Sequence, residues 1–247
     1  MIVIKSEWEI ERMKEAGRIL KEVLRVLEKE IRPGIKKREL DRIAEKEIRR
    51  RGGKPSFKGY MGYPASICVS VDEVVIHGIP DGTVLHEGEI VGIDLGVEFR
   101  GYHADAARTY PVGKVDKKKM NLIKVAEGAF FSALEFAREG MRIGDISHAI
   151  ESYAKKHGCD VVRMFTGHGI GKKLHEDPPV PNFGNPGTGP RLRQGMTLAI
   201  ETMITEGSGD VEILKDGWTV VTKDRKLSAH YENTIVITDG EPEILTL

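Results

Sequence analysis

Residues 93–108 read Ile-Asp94-Leu-Gly-Val-Glu-Phe-Arg-Gly-Tyr-His-Ala-Asp105-Ala-Ala-Arg, and a similar order of residue types returns in the last third of the chain. There, Ile-Glu201-Thr-Met is followed by Ala-His-Tyr-Glu232-Asn-Thr. Each part has one acid inside an apolar run and a second acid on the following run, and His168 lies between the two parts. Buried charges are very costly unless they are neutralised, so four carboxylates and an imidazole in these surroundings predict bound cations. The pattern indicates a dinuclear metallohydrolase.

Small residues share a strand face with these acids, because residues two apart in a strand point to the same side. Gly92 and Gly96 flank Asp94, and Ala199 precedes Glu201. We expect this lack of bulk to leave room for ions and a bound water.

The donor types narrow the choice of metal. Carboxylates with one imidazole suit hard or borderline divalent ions such as Mn, Fe, Co or Zn. Bridging carboxylates would hold two such ions about 3.5–4 Å apart and activate a water between them near neutral pH. The acids lack the spacing of a calcium-binding loop, and the chain has no His-Glu-x-x-His zinc helix. Two divalent ions per chain are therefore expected.

Two further histidines are candidates for substrate contacts. His77 stands at a strand-to-turn junction in Val-Ile-His-Gly-Ile-Pro, and His175 follows His168 by seven residues. Either ring could donate a hydrogen bond to a peptide carbonyl and to its tetrahedral intermediate. Surface or packing roles are expected for the other five histidines, of which the two that lie two residues before an acid, His103 and His230, are the foremost exceptions: His86, His103, His148, His157 and His230.

The bulk composition limits the class of protein. The chain has 247 residues and equal numbers of basic and acidic residues, 38 of each, so its net charge is zero. Zero net charge argues against a general nucleic-acid or membrane-surface role. No apolar stretch approaches the roughly 18 residues of a membrane helix, and the N-terminus becomes charged too early for a signal peptide. Cys68 and Cys159 make no disulfide framework, so we expect reduced thiols and a cytoplasmic location. We also expect a monomer, because no long apolar stripe is left over.

The chain reads as one α+β domain, residues 1–247, built from two similar halves of about 1–115 and 116–247. Gly34 and Gly52 are 18 residues apart, and Gly140 and Gly158 repeat that interval. A duplicated plan of two helices followed by strands explains this spacing. Helices are predicted from the capping box at residues 6–9 to residue 31, and at 37–51, 117–138 and 145–157. Strands are predicted at 65–71, 74–77, 89–96, 102–112, 160–165, 196–204, 211–214, 218–222 and 230–238, with a surface loop at 178–190.

These motifs together resemble type I methionine aminopeptidases, which have the pita-bread metallopeptidase fold. The resemblance covers nearly the whole chain and runs through the segments around His77, Asp94, Asp105, His168-Gly-Ile-Gly and His175-Glu-Asp-Pro, and then Leu-Ala-Ile-Glu201 and Ala-His-Tyr-Glu232-Asn-Thr-Ile. It implies an α+β pita-bread fold with two pseudo-symmetric halves, antiparallel sheets and outer helices. It also implies removal of the N-terminal initiator methionine from nascent chains whose second residue is small.

The resemblance assigns roles to individual residues. His77 and His175 would contact the substrate, and Glu201 would also handle the proton of the nucleophile. Asp105 and Glu232 would bridge both ions. The five metal ligands would be Asp94, Asp105, His168, Glu201 and Glu232, and an apolar methionine pocket would be lined by Tyr60, Tyr63, Cys68, Leu174 and Trp218.

Two positions depart from the family pattern. The family usually has Glu-Pro-Met where this chain has Glu201-Thr202-Met203, and threonine is also compatible with a strand, so we expect the ligand to stay in place. Leu174 stands where relatives often carry phenylalanine, which could reshape the lip of the pocket.

Three hypotheses for the function remain at this point. The first is initiator-methionine removal, with the N-terminus of nascent polypeptides as the partner and a transient ribosome contact left open. The second is a related peptidase of X-Pro specificity. The third is a non-catalytic binding module of the same fold, which would predict loss of some ligands, whereas all five are present.

Overall fold

The computed structural model describes residues 1–247 and contains four α-helices and thirteen β-strands. The helices are α1 (Glu7–Glu30), α2 (Lys37–Arg50), α3 (Lys117–Leu134) and α4 (Ile143–Lys156). In the first part of the chain the strands are β1 (Lys54–Pro55), β2 (Cys68–Val71), β3 (Val74–Ile76), β4 (Ile90–Phe99) and β5 (Tyr102–Pro111). In the second part they are β6 (Asp160–Val161), β7 (Thr166–Gly169), β8 (Glu176–Pro181), β9 (Thr197–Thr205), β10 (Val211–Ile213), β11 (Val220–Thr222), β12 (Ser228–Val236) and β13 (Glu243–Ile244).

The helices begin and end for local reasons that the sequence already indicates. Ser6 caps α1 through a capping box with Glu9, as predicted, and Pro33-Gly34 follows its end. Helix α4 begins at Ile143, two residues earlier than predicted, because the Asp145 carboxylate accepts the backbone N–H of Arg142. The predicted end of α3 at residue 138 was four residues too late.

The first sheet contains β1, β2, β4 and β5. Strands β1, β2 and β5 each pair with β4 in antiparallel orientation. In the β4–β5 hairpin, Asp94 pairs with Ala107 and Gly96 pairs with Asp105, so the two acids are two positions apart along the ladder. Side chains on the other face of the hairpin, such as Ile93, pack with α1 and α2 into one hydrophobic core. Burial of that face fixes the register, because a slip by one residue would move both acids into the core.

The second sheet has the strand order β13-β12-β9-β7-β8, and β6 also pairs with β9. Strands β9 and β12 are antiparallel, with Glu201 directly opposite Glu232. Their other face packs against α3 and α4 around Phe130 and forms the largest hydrophobic core of the molecule. The second pair of acids is thus fixed by pairing between strands that are distant in sequence.

A third, small sheet joins the two parts of the chain. It has the order β10-β11-β3, so β3 from the first part pairs with β11 from the second, and β10 pairs with the other side of β11. His77 directly follows β3, and Trp218 lies two residues before β11. This sheet therefore brings two predicted substrate residues to the same place.

Strands β5 and β12 lie side by side, and threonine hydroxyls link them. The Thr109 hydroxyl accepts the N–H of His230 and donates to its carbonyl, at 2.9 Å each. The Thr234 hydroxyl does the same for Asp105, again at 2.9 Å. Arg108 adds a third link, donating to the carbonyl of Glu232 and to Asn233 Oδ1. Side chains thus complete the hydrogen bonding between the two sheets beside the acids.

Two sequence predictions in the second part were wrong. The strand expected at 160–165 stops at Val161, and β7 follows instead at Thr166–Gly169. Glycine has low strand propensity, which hid β7, but a Cβ at Gly167 would lie 2.4 Å from the Ala199 carbonyl oxygen, so only glycine allows this close pairing.

The predicted loop at 178–190 begins as strand β8, which runs to Pro181. Its prolines are tolerated because β8 is the edge strand of the second sheet. None of the helices is long and apolar enough to cross a membrane.

Candidate metal centre and adjoining pocket

The four acids and His168 face one site between the first and second sheets. Two groups of three residues could each hold an ion, because the ligand atoms within each group lie within 4.8 Å of one another. One group is Asp105, His168 and Glu232, and the other is Asp94, His230 and Glu232. Glu232 belongs to both groups, whereas Asp105 belongs to one. Glu201 lies beside them, with Oε1 3.5 Å from His168 Nε2. The five predicted ligands are therefore neighbours in space, although they come from five different strands.

The electrostatics of the acids show why this site suits cations. Burial raises the pKa of Asp94 to about 7. Burial, and then the charges of neighbouring acids, raise the pKa values of Asp105, Glu201 and Glu232 well above their ordinary range. Ionised carboxylates in this arrangement repel one another, and a bound cation would reverse that repulsion.

Unsatisfied polar atoms test whether the residues fit a metal. Four buried donor atoms at the centre have no hydrogen-bond partner: Asp94 Oδ1, Asp105 Oδ1, Glu232 Oε1 and His230 Nε2. Buried polar atoms without a partner are rare and often mark an ion site. Oxygen and imidazole nitrogen are suitable ligands for Mn, Fe, Co or Zn. The donor set fits divalent metal ions.

The backbone fixes the tautomer of His168. Its Nδ1 lies 2.8 Å from the carbonyl oxygen of Gly169 and donates to it. The lone pair is therefore on Nε2, which faces the acids, as in many metal-binding histidines. Burial lowers the pKa of His168 to about 3, so the ring is neutral and available as a ligand.

Of the five remaining histidines, His230 alone lies beside the acids, and it is one of the two exceptions that the sequence singled out. His230 is 3% exposed, and its Nε2 lies 3.6 Å from Glu201 Oε2 and 3.8 Å from Glu232 Oε2. Its position two residues before Glu232 on one strand puts both side chains on the same face, a signal that the sequence did contain. His86, His148 and His157 are exposed, and His103 contacts Ser56 Oγ at 2.8 Å away from the acids.

Gly96, one of the small residues beside the acids, has a use that the sequence did not indicate. A Cβ on Gly96 would lie 2.7 Å from Ser56 Cβ and 2.9 Å from a ring carbon of Phe57. Gly96 therefore makes room for the segment that holds Phe57, a pocket residue.

A pocket of about 190 Å³ opens beside the acids. Tyr63 and Trp218 meet edge to face with ring centroids 5.0 Å apart, and the Tyr63 hydroxyl donates towards the carbonyls of Ile67 and Gly78. All five predicted apolar lining residues border this pocket, as do His77, His175 and the acids. The sequence did not indicate five other lining residues: Phe57, Met61, Ile76, Phe165 and Thr166.

His77 and His175 border the pocket from different sides. His77 has a positive φ of 58°, which is unusual for a non-glycine residue, and its ring meets Phe165 edge to face at 5.7 Å. His175 Nδ1 lies 2.8 Å from the Tyr60 hydroxyl, and its ring is 4.2 Å from that of His168. Burial lowers the pKa of His77 to about 4, so this ring is neutral at pH 7.

Thr202, which replaces the usual proline, makes contacts that proline cannot make. It is fully buried, and its hydroxyl lies 2.7 Å from the Ala126 carbonyl in α3 and 3.0 Å from the Tyr231 carbonyl. Strand β9 keeps its full pairing with β12 on either side of this residue. Threonine therefore ties the strand of Glu201 to the helix behind it.

Comparisons with known proteins agree with this geometry. The family model for metallopeptidase family M24 matches residues 11–239. A curated relative, methionine aminopeptidase of Clostridium perfringens, is 54% identical over 247 residues, which cover 100% of this chain and 99% of the relative. The crystal structure of methionine aminopeptidase from Rickettsia prowazekii superimposes with a TM-score of 0.99 at 41% identity and covers all of both chains.

A more distant structure bears on the X-Pro hypothesis. Prolidase from Pyrococcus furiosus has a TM-score of 0.82 at 24% identity and covers 99% of this chain but 65% of the prolidase chain. This likeness shows the fold alone. The expected α+β pita-bread fold with antiparallel sheets is confirmed.

Proposed function

The chain belongs to metallopeptidase family M24, and we propose that it removes the N-terminal methionine from polypeptides with the help of two divalent metal ions. The observation that carries this proposal is the junction of two features at one place. A cluster of carboxylate and imidazole groups lines part of the site, and an apolar pocket of side-chain size opens beside this cluster. Identity of 54% to a methionine aminopeptidase along the full chain supports this substrate class.

The proposed ligands are the five residues that the sequence singled out, with Asp105 and Glu232 shared between the ions. When bound, the ions, which we propose to be Co, Mn, Fe or Zn, would polarise the scissile carbonyl and lower the pKa of a water near it. The Glu201 carboxylate lies between the imidazoles of His168 and His230, within 3.6 Å of each. We assign it the proton of the attacking water, which one of its Oε atoms accepts and then delivers to the leaving amine.

His77 and His175 are proposed to orient the peptide and to stabilise charge on its oxygen. If the Tyr60 hydroxyl donates to His175 Nδ1, the ring proton is on Nε2 and can be donated to a substrate carbonyl. His77 is neutral at pH 7 and can donate in the same way from the opposite side.

The pocket accounts for methionine as the first residue. Tyr63, Cys68 and Leu174 are buried, and Trp218 closes one side. An unbranched thioether is flexible and polarizable, and it packs well against aromatic edges. A small second residue follows because the scissile carbonyl must approach both the acids and the two histidines closely.

This substrate class also carries proposals on location and assembly. Nascent chains are made in the cytoplasm, so the enzyme would act there, as a monomer with at most a transient ribosome contact.

A competition assay tests the proposed function. We expect metal-loaded protein to cleave Met-Ala-Ser much faster than Met-Lys-Ser, and to leave N-acetylated Met-Ala-Ser intact, because a free amino terminus is required. Methionine and leucine should differ by less than about 200-fold, since a methylene in an apolar pocket is worth about 1–3 kcal/mol. Preferential cleavage of X-Pro peptides would move the assignment to a prolidase-like enzyme. Absence of all cleavage by metal-loaded protein would favour the binding-module hypothesis.

A further inference from the structure

His230 has no role in the function proposed so far, yet it is more buried than His168. Its ring is 3% exposed, and its main-chain N–H and C=O are both satisfied by the Thr109 hydroxyl. Its Nε2 is buried and has no hydrogen-bond partner. Packing alone leaves this nitrogen unexplained, because an apolar side chain would fill the same space without the cost of a buried, unpaired polar atom.

Two carboxylate oxygens lie near this nitrogen at distances that exceed a hydrogen bond. His230 Nε2 lies 3.6 Å from Glu201 Oε2 and 3.8 Å from Glu232 Oε2, whereas hydrogen bonds to oxygen span about 2.7–3.2 Å. Ligand atoms around a common ion at bond lengths of about 2.0–2.2 Å are about 3.0–3.5 Å apart, which is closer to the observed spacing.

His168 provides an internal reference for this spacing. Its Nε2 lies 3.5 Å from Glu201 Oε1, and His230 Nε2 lies 3.6 Å from the other oxygen of the same carboxylate. The two imidazoles therefore stand on either side of Glu201 in nearly equivalent positions. Each also belongs to a separate group of three donors that shares Glu232.

We propose that His230 Nε2 is a sixth protein ligand of the metal centre and binds one ion together with Asp94 and Glu232. His168 and Glu201 serve the other ion, and Asp105 and Glu232 stay shared, as in the proposed function. Each ion then has one imidazole, which favours borderline metals such as Zn, Co, Fe and Mn over Mg at both positions. This inference rests on the two-ion centre of the proposed function and adds a ligand to it.

The first experiment compares His230→Gln with wild type in calorimetric titrations of metal-free protein with Co²⁺. Glutamine keeps a polar side chain that can hydrogen-bond to the carboxylates, but it removes the imidazole. We expect one of the two Co²⁺ equivalents to bind at least about 10–100-fold more weakly, with the other unchanged. His103→Gln is the matched control, because His103 also lies two residues before an acid but contacts Ser56, and it should bind both equivalents as wild type does.

Three outcomes of this titration are distinct. Loss of one equivalent in His230→Gln supports the assignment. Equal weakening of both equivalents would overturn it, because His230 would then act through the shared Glu232 as a positioning residue. Unchanged binding of both would also overturn it and make His230 a packing residue.

A second measurement needs no variant and therefore does not depend on the folding of His230→Gln. X-ray absorption of wild-type protein loaded with two equivalents of Zn²⁺ counts imidazoles from their multiple scattering. The assignment predicts on average about one imidazole per ion, and a value near one half would overturn it by leaving only His168. Failure of the protein to bind two equivalents would instead overturn the two-ion proposal itself.

Discussion

The two sheets that meet at the metal centre contribute to it in different ways. The first sheet supplies two aspartates from a single hairpin, and their spacing is fixed by neighbouring strands. The second sheet places two glutamates and two histidines beside the centre from β7, β9 and β12, which pair with one another although they are far apart in sequence. The two aspartates are thus positioned by a local hairpin. The histidines and Glu232, which belongs to both donor groups, are positioned by pairing between strands that are distant in sequence.

Changes in the second sheet should therefore have the largest effects on catalysis. We expect Glu201→Gln to lower kcat by at least about 10²–10⁴-fold, because it removes the proposed proton acceptor and one ligand charge. The melting temperature of the variant should stay close to that of wild type, since glutamine conserves the shape of the side chain. Single-turnover rates with a Met-Ala peptide would check this, and retention of more than about a tenth of wild-type kcat would remove Glu201 from its assigned role.

The pH dependence of stability in the metal-free protein tests the charge state of an acid from the first sheet. Asp94 has a pKa of about 7, above the value of about 3.9 in unfolded chains, so its protonated form is favoured in the folded protein. The contribution of Asp94 to stability is therefore fully present below about pH 4 and is lost as pH rises from there to about 7. The buried histidines, with lowered pKa values, give a slope of the opposite sign, so Asp94 is isolated by comparison with Asp94→Asn. Urea unfolding of both proteins between about pH 4 and 8 should show wild type losing stability relative to the variant as pH rises from about 4 to about 7.

Bound metal should have the opposite pH dependence, because it stabilises the ionised form of the acids. Because ligands must lose protons to bind, stabilisation by added Co²⁺ should grow from pH 5 to pH 8. A difference in stability between wild type and Asp94→Asn that stays constant from about pH 4 to pH 7 would contradict the raised pKa of Asp94.

Comparison of one ligand from each sheet tests which of them is shared. Glu232→Gln should weaken both metal equivalents, because Glu232 belongs to both donor groups, whereas Asp94→Asn should weaken one. Losses of about 10–100-fold per affected equivalent are expected in a calorimetric titration. If Asp94→Asn abolished both equivalents and Glu232→Gln only one, the roles of the two sheets would have to be exchanged.

The smallest expected effects concern the links between the sheets. Thr109→Val leaves the backbone of His230 in the second sheet without its partner, and Thr234→Val does the same to Asp105 in the first. Each should lower the free energy of unfolding by about 1–3 kcal/mol, because buried N–H and C=O groups lose their hydrogen bonds. Chemical denaturation of both variants measures the two losses of stability. A loss in one variant only would show that the other threonine does not stabilise the contact between the two sheets.

The sequence predicted well those features that depend on local pattern. The capping box at Ser6 and the acids within apolar runs are readable because one residue and its near neighbours determine them. The α+β class follows from the same periodicities. The duplication of the two halves, inferred from glycine spacing, stays a prediction.

Features set by distant pairing were harder to predict. Strand β7 was missed because glycine has low strand propensity. Its glycines are needed only because the backbones of β8 and β9 approach β7 closely, which the sequence does not show. Phe57 enters the pocket because Gly96, some forty residues later, leaves it room. The position of His230 beside Glu201 depends on the pairing of β12 with β9, although its spacing from Glu232 already put both side chains on one face.

The most direct test of the central claim is activity as a function of bound metal. Protein stripped of metal, and verified by elemental analysis, is titrated with Co²⁺ or Mn²⁺ while hydrolysis of Met-Ala-Ser is followed. We expect no hydrolysis without metal, recovery as metal is added, and no cleavage of the N-acetylated peptide at any metal concentration. Hydrolysis at the full rate by verified metal-free protein would contradict the claim that the two sheets combine to form a metal-dependent aminopeptidase centre.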